Sequence, residues 1–391
     1  MDDLALKVDE IRRSIFLEAR SKKGKPRTGA LGVACTQADT PAFERVLLDH
    51  LGHQDLQFHA EEYGTLGMVR HSDSKTAGHR GCVGQMQFTP TFLVTDFGEQ
   101  RGRYRSGPRE GKVMREFVGK AAFVTGGASG IGLALGRAFA EVGCKVMLAD
   151  IEKAALDAAV ASLSGSGREI RGIVCDVADP ASVDAAAEAT FSAFGKVHIL
   201  CNNAGVGALG GIDHVALDNW RWLLDVNLIG VVNGVRAFLP HMRAHGEGGH
   251  IVNTASMAGM FNLHQGFAPY PASKFAVVGV SEGLAMEVKP CGIGVSILCP
   301  GIVRTNILES ARNRPQRYGP ATSVSTTNPH YAWFAERVRT GMDPAEVARR
   351  VLAAVRDDEL YIFTHPETRQ AVEERFRAIL AAFDKTATTP V

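Results

Sequence analysis

From Lys120 to the C-terminus, seven apolar runs of strand length alternate with amphipathic stretches, and few folds can accommodate that order. Residues 121–125, 145–150, 172–175, 198–202, 250–254, 294–299 and 361–364 read as strands. Residues 133–142, 181–194, 220–245 and 270–289 read as helices. Near-continuous apolar strands belong in a sheet covered on both faces, and strands separated by helices join through right-handed crossovers. The expected fold class is α/β, a doubly wound parallel sheet forming a single catalytic domain over 114–391.

Residues 1–113 do not share this pattern. A helix is expected over 8–20 and a shorter one over 42–51, but 70–84 and 98–111 are rich in Gly, Arg, Ser and His with little periodicity. Such composition predicts a poorly ordered extension. Met114 stands just before the first strand, so a true start there, with 1–113 spurious, is a second reading. His50, His53, His59 and Cys82 match no standard zinc spacing, and no metal site is expected.

Composition excludes more than it identifies. Hydrophobic content of 45%, charged content of 22% and a formal charge of +1 suit an ordinary globular protein and do not point to nucleic acid or a membrane surface. No apolar run of membrane-spanning length stands out, and Met1-Asp-Asp is not the basic start of a signal peptide. The seven cysteines are scattered without a C-x-x-C pair, as expected of free thiols in a reducing cytoplasm. Cys144, Cys175, Cys201 and Cys299 fall in or beside strands and read as core residues.

Two motifs carry chemistry. Residues 125–132, Thr-Gly-Gly-Ala-Ser-Gly-Ile-Gly, lie between the first strand and the first helix. A glycine turn in that place lets backbone N–H groups meet a pyrophosphate at a helix N-terminus, so Gly126, Ser129, Gly130, Ile131 and Gly132 are expected to bind a dinucleotide. Asp150, ending the second strand, can accept bonds from the adenosine ribose and repel a 2′-phosphate, and Ser129 supplies no cation there. Both favour NAD over NADP. Asp150 can equally cap the helix that follows it.

The second motif is Tyr270-Pro-Ala-Ser-Lys274. Four residues apart on a helix, Tyr270 and Lys274 share a face. An ammonium beside a phenol favours phenolate, which makes Tyr270 a candidate general acid/base. Ser256, after the fifth strand, lies where ligands sit in open α/β sheets and can hold a substrate oxygen.

These residues, with Asp176-Val177, Asn202-Asn203-Ala204-Gly205, Asn227, Pro300-Gly301 and Thr305, resemble the tyrosine-dependent short-chain dehydrogenase/reductase family over about residues 115–385. The resemblance implies a Rossmann fold and hydride transfer at a CH–OH group. It implies that Lys274 also binds the nicotinamide ribose, that Asn203 and Gly205 line the cofactor, that Asp176 and Val177 meet the adenine, and that Val303 and Thr305 meet the carboxamide. Asn227 reads either as a satisfied buried amide or, as the resemblance implies, as a helix kink holding a proton-relay water. The interval from Ser256 to Tyr270 is one residue longer than the family's, so one residue is expected to loop out.

Residues 301–343 lack clear periodicity and hold Tyr318, Tyr331, Trp333 and Phe334, which suggests a hydrophobic lid. Residues 306–318 and 358–380 are similar to bacterial aryl-alcohol Cα-dehydrogenases, implying a bulky hydrophobic secondary alcohol or ketone. Two alternatives stay open: a ketoacyl-thioester or enoyl reductase on the same fold, and an inactive dinucleotide-binding sensor or scaffold. Val277, Val278, Val280, Leu284 and Met286 surround the helix bearing Tyr270, and helices 220–245 and 270–289 are expected to form a homodimer or homotetramer interface.

Overall fold

The computed structural model describes residues 114–388, apart from 166, 208–209, 263–267 and 321–328, and three short strands before them. The chain divides into two units, Met1–Arg105 and Ser106–Val391. In the first, β1 (Ser14–Ile15), β2 (Ala30–Ala34) and β3 (Gly67–Val69) pair antiparallel in that order. Within the expected helix 8–20, Ser14 and Ile15 instead pair with Ala34 and Val33 as strand. The helix at 42–51, the order expected of the rest of 1–113, and the histidines and Cys82 lie outside the described residues.

The second unit is built on one parallel sheet. Its strands are β4 (Ala121–Thr125), β5 (Lys145–Asp150), β6 (Ile170–Val174), β7 (Ile199–Asn202), β8 (Gly249–Thr254), β9 (Ile293–Cys299) and β10 (Tyr361–Phe363), in spatial order β10-β9-β8-β7-β4-β5-β6. The chain starts at the centre with β4, runs out to β6, and returns to β7 on the other side of β4. This is a doubly wound, Rossmann-type sheet whose crevice opens between β4 and β7.

Alternation along each strand feeds two apolar layers. Ala122 and Val124 face one side, with Leu135 and Phe139 of α1 (Gly130–Glu141), Leu156 of α2 (Lys153–Leu163) and Val347, Val351 and Val355 of α8 (Pro344–Asp357). Phe123 faces the other, its ring 4.4 Å from that of Phe238, with Val183 of α3 (Pro180–Phe194), Leu239 and Met242 of α5 (Gly230–His245) and Leu284 of α6 (Pro269–Val288). Cys144, Cys175 and Cys201 are buried among these side chains, and Cys299 is buried with Val277, Val278 and Ile297. Burial pushes Cys144 and Cys299 up to about 12, Cys175 to about 11, and Cys201 upward as well.

The run expected as one helix over 220–245 is three pieces: α4 (Leu217–Leu224), a π turn at Asp225–Ile229, and α5. Together Leu217–His245 is long and apolar enough to cross a membrane by length and composition, which corrects the expectation of no such run. Half of its most apolar stretch is packed inside the domain, as for a core helix. The apolar surplus expected on α6 is smaller than foreseen, because the sheet and the Ser256 turn bury Val277, Val278 and Leu284. Val280 and Met286 stay exposed. A longer exposed stripe, Phe376, Ile379, Leu380 and Phe383, lies on α9 (Arg369–Thr388). Residues 301–343 are not structureless either: they hold short 3-10 turns at Ile307–Asn313 and Gln316–Tyr318, and α7 (Pro329–Arg339).

Candidate active site

At the switch point the glycine turn leaves β4 and is stapled to the end of β7. Thr125 Oγ1 accepts the backbone N–H groups of Asn203 (2.9 Å) and Ala204 (3.0 Å), and Asn203 Nδ2 donates to Thr125 O at 3.0 Å. The tight path needs glycine in two ways. Gly126 has φ +63°, and a Cβ on Gly132 would lie 2.0 Å from Gly126 O. Gly132 therefore lets α1 pack against the turn and does not itself line the cleft, while Gly126, Ser129, Gly130 and Ile131 do. The N-terminus of α1 has no side-chain cap and no acidic residue in its first turn, so its donors suit an anion. This geometry fits a pyrophosphate.

Asp150 lines the same cleft. Its Oδ2 accepts from Ala128 N–H and its Oδ1 from Glu152 N–H, both at 3.0 Å. It thus braces the glycine turn while its carboxylate borders the cleft, and Glu152 rather than Asp150 occupies the cap position of α2. Asp176, Val177, Asn203, Gly205, Val303 and Thr305 also line the cleft, whose volume of about 1140 Å³ has room for a dinucleotide and a further ligand.

The opposite wall carries Ser256, Tyr270 and Lys274. Ser256 caps a 3-10 turn, its Oγ accepting from Ala258 N–H at 3.1 Å and lying 3.4 Å from Pro300 O. Ser256 and Tyr270 line the same wall across the longer interval, of which residues 263–267 lie outside the described residues. Part of the Tyr270 side chain opens to the cleft, yet protein atoms surround its hydroxyl.

Lys274 is buried on the same face of α6; its Nζ donates to Thr254 O at 2.8 Å and lies 5.7 Å from the Tyr270 ring centre. Burial pushes the phenol of Tyr270 up, with Ser256 acting against that, and pushes Lys274 down to about 8. These side chains by themselves therefore do not give the lowered phenol expected from the sequence. Desolvation outweighs the help that Ser256 gives the phenolate.

Asn227 sits behind the cleft in the π turn. Its Oδ1 accepts from Val206 N–H at 2.8 Å, and its Nδ2 donates to Val206 O at 3.0 Å and to Ser273 Oγ at 3.1 Å. It is thus a fully engaged buried amide in an irregular helix, which combines features of both sequence readings. A Cβ on Gly205 would lie 3.4 Å from Asn227 Oδ1 and 3.5 Å from Lys274 Nζ, so the two groups face one small gap.

Sequence reasoning did not single out Trp222, His365, Glu152, Arg312 or Arg314, all of which line the cleft. Trp222 stands in the amphipathic run of α4 and was readable as a candidate. His365 follows β10 and accepts from Gly301 N–H at 3.2 Å, a contact that no motif announces.

A dinucleotide-sized cleft at the switch point of a parallel sheet, with serine, tyrosine and buried lysine on one wall, defines a nicotinamide-dependent α/β oxidoreductase. Residues 120–316 match the short chain dehydrogenase family, and the chain belongs to it. It is 36% identical over 268 residues to a C alpha-dehydrogenase of Sphingobium sp. (strain NBRC 103272 / SYK-6), covering 68% of this chain and 87% of that one. It is 42% identical over 198 residues to a D-threitol dehydrogenase of Mycolicibacterium smegmatis, covering 51% and 75%. A short chain dehydrogenase/reductase from Burkholderia phymatum, solved in complex with NAD, superposes with a TM-score of 0.66 at 38% identity over 71% of this chain and 99% of that one. The protein is an oxidoreductase acting on CH–OH groups with a nicotinamide dinucleotide.

Proposed function

We propose that the protein is an NAD-dependent dehydrogenase moving a hydride between nicotinamide and the carbinol or carbonyl carbon of a bulky, hydrophobic secondary alcohol or ketone. The observation that carries this reading is the convergence of Ser256, Tyr270 and buried Lys274 on one wall of the cleft. When bound, the nicotinamide accepts or supplies the hydride. Ser256 holds the substrate oxygen, and Tyr270 takes its proton in oxidation or returns it in reduction. Lys274 favours the phenolate through its charge and binds the nicotinamide ribose. Asn227 fixes the Gly205 gap, where a water held against Lys274 Nζ carries the proton onward. Trp222, Tyr331, Trp333 and Phe334 form an aromatic wall suited to a bulky ring, and the similarity to a C alpha-dehydrogenase supports an aryl substrate. Screening purified protein with NAD against bulky secondary alcohols, by absorbance of the reduced cofactor, tests the reading. No turnover with any of them would overturn it.

Cofactor choice rests on Asp150. Asp150→Ala should shift the NADP-to-NAD ratio of kcat/KM toward NADP by roughly 10- to 100-fold, the range for losing hydrogen bonds to a charged group. Equal or better use of NADP by the unmodified protein would reduce Asp150 to a brace for the glycine turn.

We further propose a cytoplasmic homodimer or homotetramer, with the exposed Val280, Met286 and α9 stripe as contact surface, and a catalytic unit that needs nothing before Met114. Light scattering should give a multiple of the chain mass for both the full chain and a Met114 start, and both should turn over alike. A monomer mass at micromolar concentration counts against the assembly, and an insoluble Met114-start protein against the independence of the unit.

A further inference from the structure

One stretch of chain crosses the mouth of the cleft and is tied down by charge. Residues 307–318 follow β9 as two 3-10 turns. Arg312 grips Glu152 with two N–H groups, Nη2 to Oε1 at 2.7 Å and Nε to Oε2 at 3.3 Å, and Asn313 Nδ2 adds a third bond at 2.7 Å. Arg317 Nη2 reaches Asp176 Oδ2 at 2.7 Å, and the Tyr318 hydroxyl donates to Asp225 Oδ2 at 2.9 Å. The three acids belong to three separate places: the turn after β5, the turn after β6, and the π turn. Two of them, Glu152 and Asp176, line the cleft beside Asp150 and Val177, where the adenosine half of a dinucleotide belongs.

We propose that Arg312 and Arg317 are positioning residues for the cofactor: they hold residues 307–318 as a latch across the adenosine half of the cleft, so that the dinucleotide leaves only when both ion pairs open. This rests on the dinucleotide reading above. A two-bond Arg–carboxylate fork is the stronger and more directional form of ion pair. Both pairs are nevertheless partly exposed, with side-chain exposures of 34% and 30% for Arg312 and Glu152, and 47% and 19% for Arg317 and Asp176. Such pairs hold weakly and are screened by salt, which suits a fastening that must open on every cofactor exchange. Arg312 also keeps the Glu152 carboxyl below its ordinary range, so the fork stays charged through neutral pH.

The test is NADH release from the full chain, followed by stopped-flow fluorescence, with amide hydrogen exchange of residues 307–318 measured without cofactor. Release from the parent should accelerate between roughly 0.1 M and 1 M salt, where the screening length falls from about 10 Å to about 3 Å. The double variant R312Q/R317Q should release NADH roughly five- to thirtyfold faster, lose most of that salt response, and exchange faster at 307–318. Its KM for NAD should rise while kcat holds or increases. The single variants R312Q and E152Q should each speed release, and combining them should add little, because both break the same pair. Unchanged release and salt response in R312Q/R317Q would overturn the latch and leave the dinucleotide reading standing. Faster exchange at 307–318 without faster release would also overturn it. Failure of the parent to bind NADH would overturn both.

Discussion

Tyr270→Phe should keep dinucleotide binding and lose roughly 10²–10⁴-fold or more in turnover, the range for removing a general acid/base. The ring stays, so the entrance of α6 and its packing against Val206, Trp222 and Leu223 are retained. Only the hydroxyl goes. Cofactor titration by fluorescence, set beside steady-state turnover, separates the two effects. Near-normal turnover in the phenylalanine variant would remove Tyr270 from the chemistry, and weak cofactor binding would show that its hydroxyl had been supporting the fold of the cleft.

Lys274→Met should cost roughly 10²–10³-fold in turnover, as for loss of a preorganised charge near the reacting oxygen, and should also change how stability depends on pH. In the folded protein burial pushes Lys274 from its ordinary 10.5 down to about 8. Below pH about 8 both folded and unfolded chains are protonated there, and the buried ammonium is a standing cost. Between about 8 and 10.5 the unfolded chain binds more protons at this site than the folded one, so the parent gains stability as pH rises. The methionine variant lacks that gain. Its unfolding midpoint relative to the parent should be flat below about pH 8 and fall between about 8 and 10.5. Parallel stability profiles across that window would mean that Lys274 titrates in the fold as it does in the free chain.

The sheet was largely legible in the sequence because its strands are covered on both faces. Ala121–Thr125 and Lys145–Asp150 are found where the apolar runs place them, and both are buried almost throughout. The edge strand β6 reads less well. Its central residues are exposed, and the run at 172–175 stands two residues late against Ile170–Val174. That Ser256, Tyr270 and Lys274 share one cleft with most of the glycine turn was readable from local motifs, since a glycine turn and a tyrosine–lysine pair stand at fixed short spacing.

What was not readable depends on contacts between distant residues. The Arg312–Glu152 fork joins positions 160 apart, and a run of arginines in an aperiodic segment does not name its partners. The environment of Tyr270 was misjudged for the same reason, because spacing reveals the neighbouring charge and not the depth of burial. The kink at Asn227 came from the resemblance and not from the apolar pattern, into which the π turn inserts one residue, and the hydrogen bonds to Val206 and Ser273 explain why Asn227 points inward.

That inserted residue also sets a phase. An α-helix turns about 100° per residue. Trp222 and Leu223 of α4 pack against Val206 and Tyr318, while Phe238, Leu239 and Met242 of α5 pack under the sheet. Winding Asp225–Ile229 into regular α-helical bonding with every residue kept would swing one of these groups roughly 100° away from its bed. The cleft floor and the core beneath the sheet are therefore indexed to each other by a single residue of backbone, so that repairing the helix would put one of them out of register.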